Sequence, residues 1–470
     1  MSDEFPTDGE PQIGFLSRFQ GIANLARRHF HSGRGGRAKL AISTSFVSRV
    51  VTTAVSLIVL PISVRYLGNE GYGLMATITA VVGWLQFTNM GIGLGLQNAL
   101  TEETAKGNKR AQNELVSTAV ISLLGIGLVL FVAGLLIFPH VSWTTIFRPT
   151  TQRFTAEIPW TVAIVFVGFV STIVLGFVSP IYAARQELHI ASIQSLVASV
   201  ASLLGTFAAV YLKWGLIGVV GCTIGVTALI QWIFAMWTLF GRGFNELHPT
   251  FGSITRNAAV RIYSSGLNFF VLQICNIAFF QIDAFLITRF LTVDQVTPYS
   301  VAQKVFIQAS GLFGIVAGSL WPAYGNANAQ GDIAWIRRVH RKLVISFLIM
   351  SCGLAVFMIM FGHRLLSLWV GPTAAPTTLL ISGVALYFLV RDWTGVHSAL
   401  LNGLNIVGPQ VWNVLVTAVL TLGLDLVLVQ HLGPLGLAIG GFLAFSVSSA
   451  WYFSYLTAKA LRPAADGNVP

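Results

Sequence analysis

The chain is a succession of long apolar runs separated by short polar segments, and the runs fall in one length class. A bilayer core of about 30 Å divided by a rise of ~1.5 Å per residue asks for roughly 20 apolar residues per crossing. About twelve runs meet that requirement. In the first half they cover Ala41 to Tyr66, Tyr72 to Leu100, Leu115 to Phe138, Ile158 to Tyr182, His189 to Tyr211 and Gly215 to Phe240. In the second they cover Ile262 to Leu291, Thr297 to Ala323, Leu343 to Phe361, Thr377 to Asn402, Val407 to Gln430 and Leu435 to Ala458. Backbone groups in lipid must be satisfied within their own segment, and runs this continuous do not alternate as barrel strands do, so each predicts a helix. The expected fold class is an all-α polytopic membrane protein.

The polar segments repeat. At an offset of 224 residues Arg65-Tyr66-Leu67-Gly68 meets Arg289-Phe290-Leu291-Thr292, and Ala105-Lys106-Gly107-Asn108 meets Ala329-Gln330-Gly331-Asp332. At 218 residues Trp214-Gly215 meets Leu432-Gly433. The pattern predicts two six-helix bundles, residues 41–240 and 262–458, joined by a cytoplasmic linker at 241–261. A flexible tail, residues 1–40, precedes them and a short cytoplasmic tail, 459–470, follows. Six is an even number, so the copies face the same way, a parallel repeat with the substrate site expected between the halves.

Charged residues make up 10% of the chain and hydrophobic ones 54%, whereas a soluble domain carries about a quarter charged residues. The net charge of +11 is a matter of topology. Of the 28 Lys and Arg, nineteen fall on the side of the termini, six on the other side and three within spans. That asymmetry predicts cytoplasmic termini and contact with anionic lipid heads, with no nucleic-acid partner. The first apolar run begins after Leu40 and is too long for a cleavable signal peptide. Cys222, Cys275 and Cys352 show no metal or redox spacing, and no nucleophile elbow, phosphate loop or paired histidine motif is found. Neither an enzyme nor a bound cofactor is expected.

A charge at the bilayer centre costs at least ~2.5 to 3.5 kcal/mol on insertion scales, so intramembrane charges direct the search for function. Ser45, Arg49, Thr52, Ser56 and Ser63 lie at spacings that share one helical face. The repeat carries Arg49 and Thr52 onto Gln273 and Asn276, and that face continues to Asp283. Ser300, Lys304 and Gln308 recur every four residues, and Tyr387, Arg391, Thr394, Ser398 and Asn402 share another face. The substrate-binding candidates are therefore Arg49, Thr52, Gln273, Asn276, Lys304, Gln308 and Arg391. Asp283 and Asp392 are candidates for coupling to H⁺ or Na⁺. Asp283 and Lys304, at similar depth on neighbouring helices, are candidates for an ion pair. Arg391 and Asp392 point about 100° apart, so at least one needs another partner. Asp425 lies near a helix end, where water is expected to reach it.

The segment Arg65-Tyr66-Leu67-Gly68-Asn69-Glu70-Gly71-Tyr72-Gly73-Leu74, with Gly91-Ile92-Gly93-Leu94-Gly95-Leu96-Gln97-Asn98 and Lys106-Gly107, resembles the multidrug, oligosaccharidyl-lipid and polysaccharide (MOP) exporter superfamily. The likeness is to its O-antigen and exopolysaccharide flippases and covers roughly residues 38–460. It implies an inner-membrane protein that moves an undecaprenyl-pyrophosphate-linked oligosaccharide to the outer leaflet, with Arg49, Lys304 and Arg391 on the anionic group. Membrane lipids, a glycan polymerase and glycosyltransferases are the implied partners. The near balance of intramembrane charge departs from those flippases, whose cavities are commonly cationic. Two alternatives stand beside this reading. A cation-coupled multidrug exporter of the same superfamily would carry an acidic residue in the first helix, where this chain has Arg49. A non-transporting scaffold for glycan synthesis would leave the intramembrane charges without a purpose.

Overall fold

Glycines at a few turns set where the apolar runs break. The structure, a computed structural model, describes residues 33–89, 91–185, 187–240, 249–264, 282–406 and 408–461, and among them every regular element is helical. Helix α1, Gly33–Gly83, is interrupted at Gly68, where φ is 74° and a side chain would be strained. It therefore holds two of the expected spans and opens at Gly33, inside the segment expected to be a tail. A 3₁₀ turn, Trp84–Asn89, and a left-handed Gly91 lead into α2, Ile92–Lys106. Gly91 thus marks a break, while Gly93 serves packing: a Cβ there would lie 3.1 Å from the Gly176 carbonyl.

The turn from α2 to α3, Lys109–Ile137, shows why Lys106-Gly107-Asn108 is built as it is. Gly107 ends α2 in the left-handed region, and Asn108 Oδ1 accepts the Ala111 N–H at 3.2 Å to start α3. The second half uses the same construction: Gly331 has φ 72°, and Asp332 Oδ1 accepts the Trp335 N–H at 2.9 Å. Gly215 and Gly433, also paired by the sequence, both have positive φ.

The first half continues through α4, Glu157–Val174, α5, Val178–Ala184, and α6, Leu188–Tyr211. It ends with α7, Gly215–Val220, a π turn at Gly221–Gly225, and α8, Val226–Phe240. The second half contains α9, Ile282–Phe290, α10, Val296–Ala329, α11, Ile333–Val370, α12, Thr378–Gly403, and α13, Gly408–Leu432. It closes with α14, Pro434–Phe445, a second π turn at Ser446–Ala450, and α15, Trp451–Ala460. Among the described residues nine helical stretches are long and apolar enough to cross a bilayer. Most of the expected span from Ile262 to Leu291 lies outside the described residues.

The helices are apolar outside as well as inside. On α3, Leu115, Val116, Ala119 and Leu123 are buried, while Leu128, Val129 and Leu136 are about two-thirds exposed. Water would penalise each such exposure by roughly 1.5–3 kcal/mol, whereas lipid does not. The chain is a multi-pass membrane protein.

The buried cores reveal how the halves meet. One cluster unites both halves: Leu60, Leu74 and Ile78 of α1 and Val162 of α4 with Leu286, Ile287, Val301 and Phe306 of α9 and α10. At the opposite end the cores separate. Ile92, Leu100, Val116, Leu123 and Ile181 form one cluster within the first half, and Tyr324, Ile336 and Leu400 form another within the second. Polar bonds reinforce the shared end. Arg65 donates to the Leu368 and Trp369 carbonyls, both at 2.9 Å, and Asn69 to the Thr373 carbonyl at 2.5 Å. Thr297 donates to the Asn69 carbonyl at 2.6 Å and Arg148 to the Arg289 carbonyl at 3.1 Å. At the far end the linker is clamped to α2, where Arg261 meets Glu103 at 3.0 Å and Glu102 at 2.9 Å. Arg261 holds the Glu103 carboxyl below its ordinary range, and Lys106 does the same for Glu102.

Candidate functional site

Two faces of α10 organise the polar groups at the heart of the protein. Lys304, Gln308 and Gly311 recur at intervals of four and three and share a face. The guanidinium of Arg49, from α1, lies over Gly311: a Cβ at that position would come within 2.3 Å of Arg49 Nη2. A missing side chain on α10 thus makes room for a cation from the other half. Arg49 and Lys304 are separated by seven residues of α10, about 10 Å of axial rise. Thr52, one turn above Arg49, donates to the Arg49 carbonyl at 3.0 Å. Arg49, Thr52, Lys304 and Gln308 are thus brought to the boundary between the halves. Gln273 and Asn276 lie outside the described residues.

The other face of α10 looks into the second half and holds carboxylates. Asp283, almost fully buried on α9, accepts from Tyr299 Oη at 2.5 Å and from Gln303 Nε2 at 2.9 Å. The expected Asp283–Lys304 ion pair is not formed, because Gln303 rather than its neighbour Lys304 is turned towards α9. Asp392 on α12 accepts from Ser310 and pairs with Arg391, Nη2 to Oδ1, at 3.3 Å. The adjacent charges do meet, and each has a further contact: Arg391 stacks 4.6 Å over the Phe388 ring. Arg391 therefore sits within the second half, engaged by its neighbours, rather than against Arg49.

Asp425 corrects the sequence reading most sharply. It is 1% exposed rather than wetted, because α14 covers it through Gly440, where a Cβ would meet Oδ1 at 2.2 Å. Its Oδ1 has no hydrogen-bond partner. Asp283, Asp392 and Asp425, on α9, α12 and α13, thus all lie within the second half. An intramembrane acid beside a glycine-rich helix is the signal that could have shown Asp425 to be covered. The α1 polar stripe is divided: Ser45 bonds Ser192 of α6, Oγ to Oγ, at 2.9 Å, and Ser48 donates to the Ser192 carbonyl at 2.8 Å. That end of the stripe joins helices of the first half. On α12, Ser398 and Asn402 are occupied by Gln410 of α13.

The model of the polysaccharide biosynthesis protein family matches residues 41–327. The chain belongs to that family. It is similar to a protein assigned as an O-antigen transporter in Salmonella typhimurium, 22% identical over 376 residues that make up 78% of this chain and 84% of the relative. A protein assigned to O-antigen export in Yersinia pseudotuberculosis is 20% identical over 432 residues, 88% of this chain and 94% of the relative. These relatives are named for transport, not for an enzymatic activity. Among solved structures, an inward-facing multidrug resistance MATE family transporter of the MOP superfamily superposes with a TM-score of 0.72, at 15% identity, over 90% of this chain and 100% of its own. An outward-facing structure of such a transporter gives 0.65 at 14% identity, over 92% and 97%. At these identities the likeness establishes the fold, which is the one those transporters have.

Proposed function

We propose that this chain is a membrane transporter that moves an oligosaccharide linked to a polyprenyl pyrophosphate carrier from the inner to the outer leaflet, by alternating access of its two halves. The observation that carries the reading is the cationic boundary, with Arg49 seated over Gly311 and Lys304 about 10 Å further along the same face of α10. A pyrophosphate headgroup needs positive charge and donors, and two cations at different depths let it advance without losing both at once. Its polyprenyl tail stays in lipid, where the protein's apolar exterior asks nothing of it. The distribution of Lys and Arg supports an orientation in which the end with Gly107 and Gly331, where the two halves keep separate cores, faces the cytoplasm, the side where such a substrate is assembled. An inside-negative potential of about 100 mV contributes ~2.3 kcal/mol per negative charge moved outward.

Coupling to H⁺ or Na⁺ is assigned to the buried acids Asp283 and Asp392, joined by Asp425. Carboxylates this buried with so few cations are stable only when some carry a proton or share a cation. Taking up and releasing that ion changes which packing of α9, α12 and α13 is preferred. A glycan polymerase and glycosyltransferases are proposed as neighbours in the inner membrane.

The test is restoration of surface glycan in a strain lacking its own flippase for a defined lipid-linked repeat unit. The unaltered protein is expected to restore export, and a variant combining Arg49→Ala, Lys304→Ala and Arg391→Ala to lose it. Full activity of that variant, with normal membrane abundance, would remove these residues from the site.

A further inference from the structure

The cytoplasmic part of the second half contains a pair of histidines that transport, as proposed above, does not use. His340 of α11 and His397 of α12 are 5% and 6% exposed, and their rings meet Nε2 to Nδ1 at 3.2 Å. His397 Nδ1 is also 3.1 Å from Thr457 Oγ1 of α15. The Trp393 ring stands edge-on to His397 at 4.8 Å and the Tyr324 ring to His340 at 6.2 Å. Four helices, α10, α11, α12 and α15, therefore converge on two imidazoles.

Proton counting makes the pair unusual. Two neutral imidazoles carry two N–H groups and two lone pairs, and the bond between them consumes one of each. Whichever tautomer is present, one N–H and one lone pair remain, at His340 Nδ1 and His397 Nε2, and neither atom has a partner. The Tyr324 hydroxyl, in a fully buried residue beside them, is likewise without one. Among the described residues no carboxylate balances an added charge. On α11 Asp332 is eight residues earlier, about 12 Å along the axis, and caps its own helix. On α12 Asp392 is tied to Arg391 and Ser310 more than a turn away. Arg337 is turned to the Leu461 carbonyl, and Arg338, Arg341, Lys342 and Lys459 are exposed.

We propose that His340 and His397 form a proton-binding site, distinct from the central carboxylates, whose occupancy loosens the packing of α11 against α12 and α15. The neutral pair holds the closed arrangement through one shared proton. Adding a proton replaces that bond with cations among aromatic rings, and the site relieves them by admitting water to the unpartnered ring nitrogens. The sign follows from linkage: the opened state binds more protons than the closed one, so closure is favoured as pH rises and lost as it falls below the ordinary histidine value of ~6.5. The part that loosens belongs to the second half's separate core, at the end where the halves are parted. Cytoplasmic acidification would thus act on the substrate-entry side of the transporter.

The experiment is amide hydrogen exchange on the full-length protein in lipid nanodiscs, from about pH 8 to about pH 5.5, with rates corrected for intrinsic chemistry. Wild type is expected to lose protection over the segments around His340, His397 and Thr457, by up to tenfold per pH unit for each proton taken up. The double variant His340→Gln, His397→Gln is expected to show the same low protection, or the same high protection, at every pH. Wild-type protection that does not change with pH overturns the proposal, as does an undiminished pH response in the double variant. Should the variant not assemble, histidine ring NMR of the wild type decides: titration of two coupled imidazoles over the interval in which protection falls supports the site, and its absence overturns it.

Discussion

Arg49 lies where the opposite helix has no side chain, and the space left by Gly311 can be tested apart from the charge. A Cβ at 311 would fall 2.3 Å from Arg49 Nη2, the far end of a flexible side chain that can yield. Gly311→Ala also removes a helix-interior glycine, which by itself favours the fold by up to ~1 kcal/mol. We expect Gly311→Ala to leave thermal stability unchanged or slightly raised while transport of a lipid-linked glycan in proteoliposomes falls several-fold. Arg49→Ala, which removes a charged hydrogen-bonding group worth ~1.5–3 kcal/mol, should weaken substrate affinity by about ten- to a hundredfold. Equal transport by the glycine variant and the wild type would mean the guanidinium is not positioned by that gap. Arg49 and Lys304 were legible in the sequence because a cation in an apolar run needs a reason. Asp425 was not, since its distance from a helix end suggests water, and only the packing of α14 shows that Gly440 seals it.

Glycine acts differently where α13 and α14 cross. At Gly436 an added Cβ would lie 2.2 Å from the Leu428 carbonyl oxygen and 2.4 Å from its carbon, both backbone atoms that cannot move aside. Gly423, on the same α13, has nothing within 4 Å of the corresponding position. Gly436→Ala is expected to cost about 1–3 kcal/mol through overpacking, despite its gain in helix propensity, and Gly423→Ala to be neutral or stabilising. Thermal unfolding in detergent distinguishes them: a lower midpoint for the first and not the second is expected, and matching midpoints would show that the helices can part without loss. At this scale the breaks at Gly68, Gly107, Gly331 and Gly433 were written in the sequence, because only glycine takes those backbone angles at no cost. The π turns at Gly221–Gly225 and Ser446–Ala450 were not, since one extra residue in a helical turn leaves apolar periodicity nearly intact.

Across the whole molecule, the end at which the halves share a core sets which side is closed. Arg65 and Arg148, both from the first half, donate to carbonyls in the last turns of α11 and α9, where helix ends present unpaired acceptors and partial negative charge. Asn69 and Thr297 add two bonds across the same boundary. Shared apolar packing supplies the bulk of the closure, but these bonds exist only while that end is shut, so they bear on the balance between states and not on the folding of either half. Discounted for exposure, each of these charged bonds is worth about 1 kcal/mol, and every ~1.4 kcal/mol changes a population ratio tenfold. Removing both arginines, Arg65→Ala with Arg148→Ala, should therefore raise the population open at this end about tenfold or more while leaving each half folded. Spin labels near the α1 bend and on the loop after α11 would report this as growth of a longer-distance component. On the proposed alternating-access cycle the same variant should transport more slowly, because it spends less time with the opposite end open. A distance distribution identical to that of the wild type would assign the closure to the shared core alone and leave the arginines with no part in the cycle.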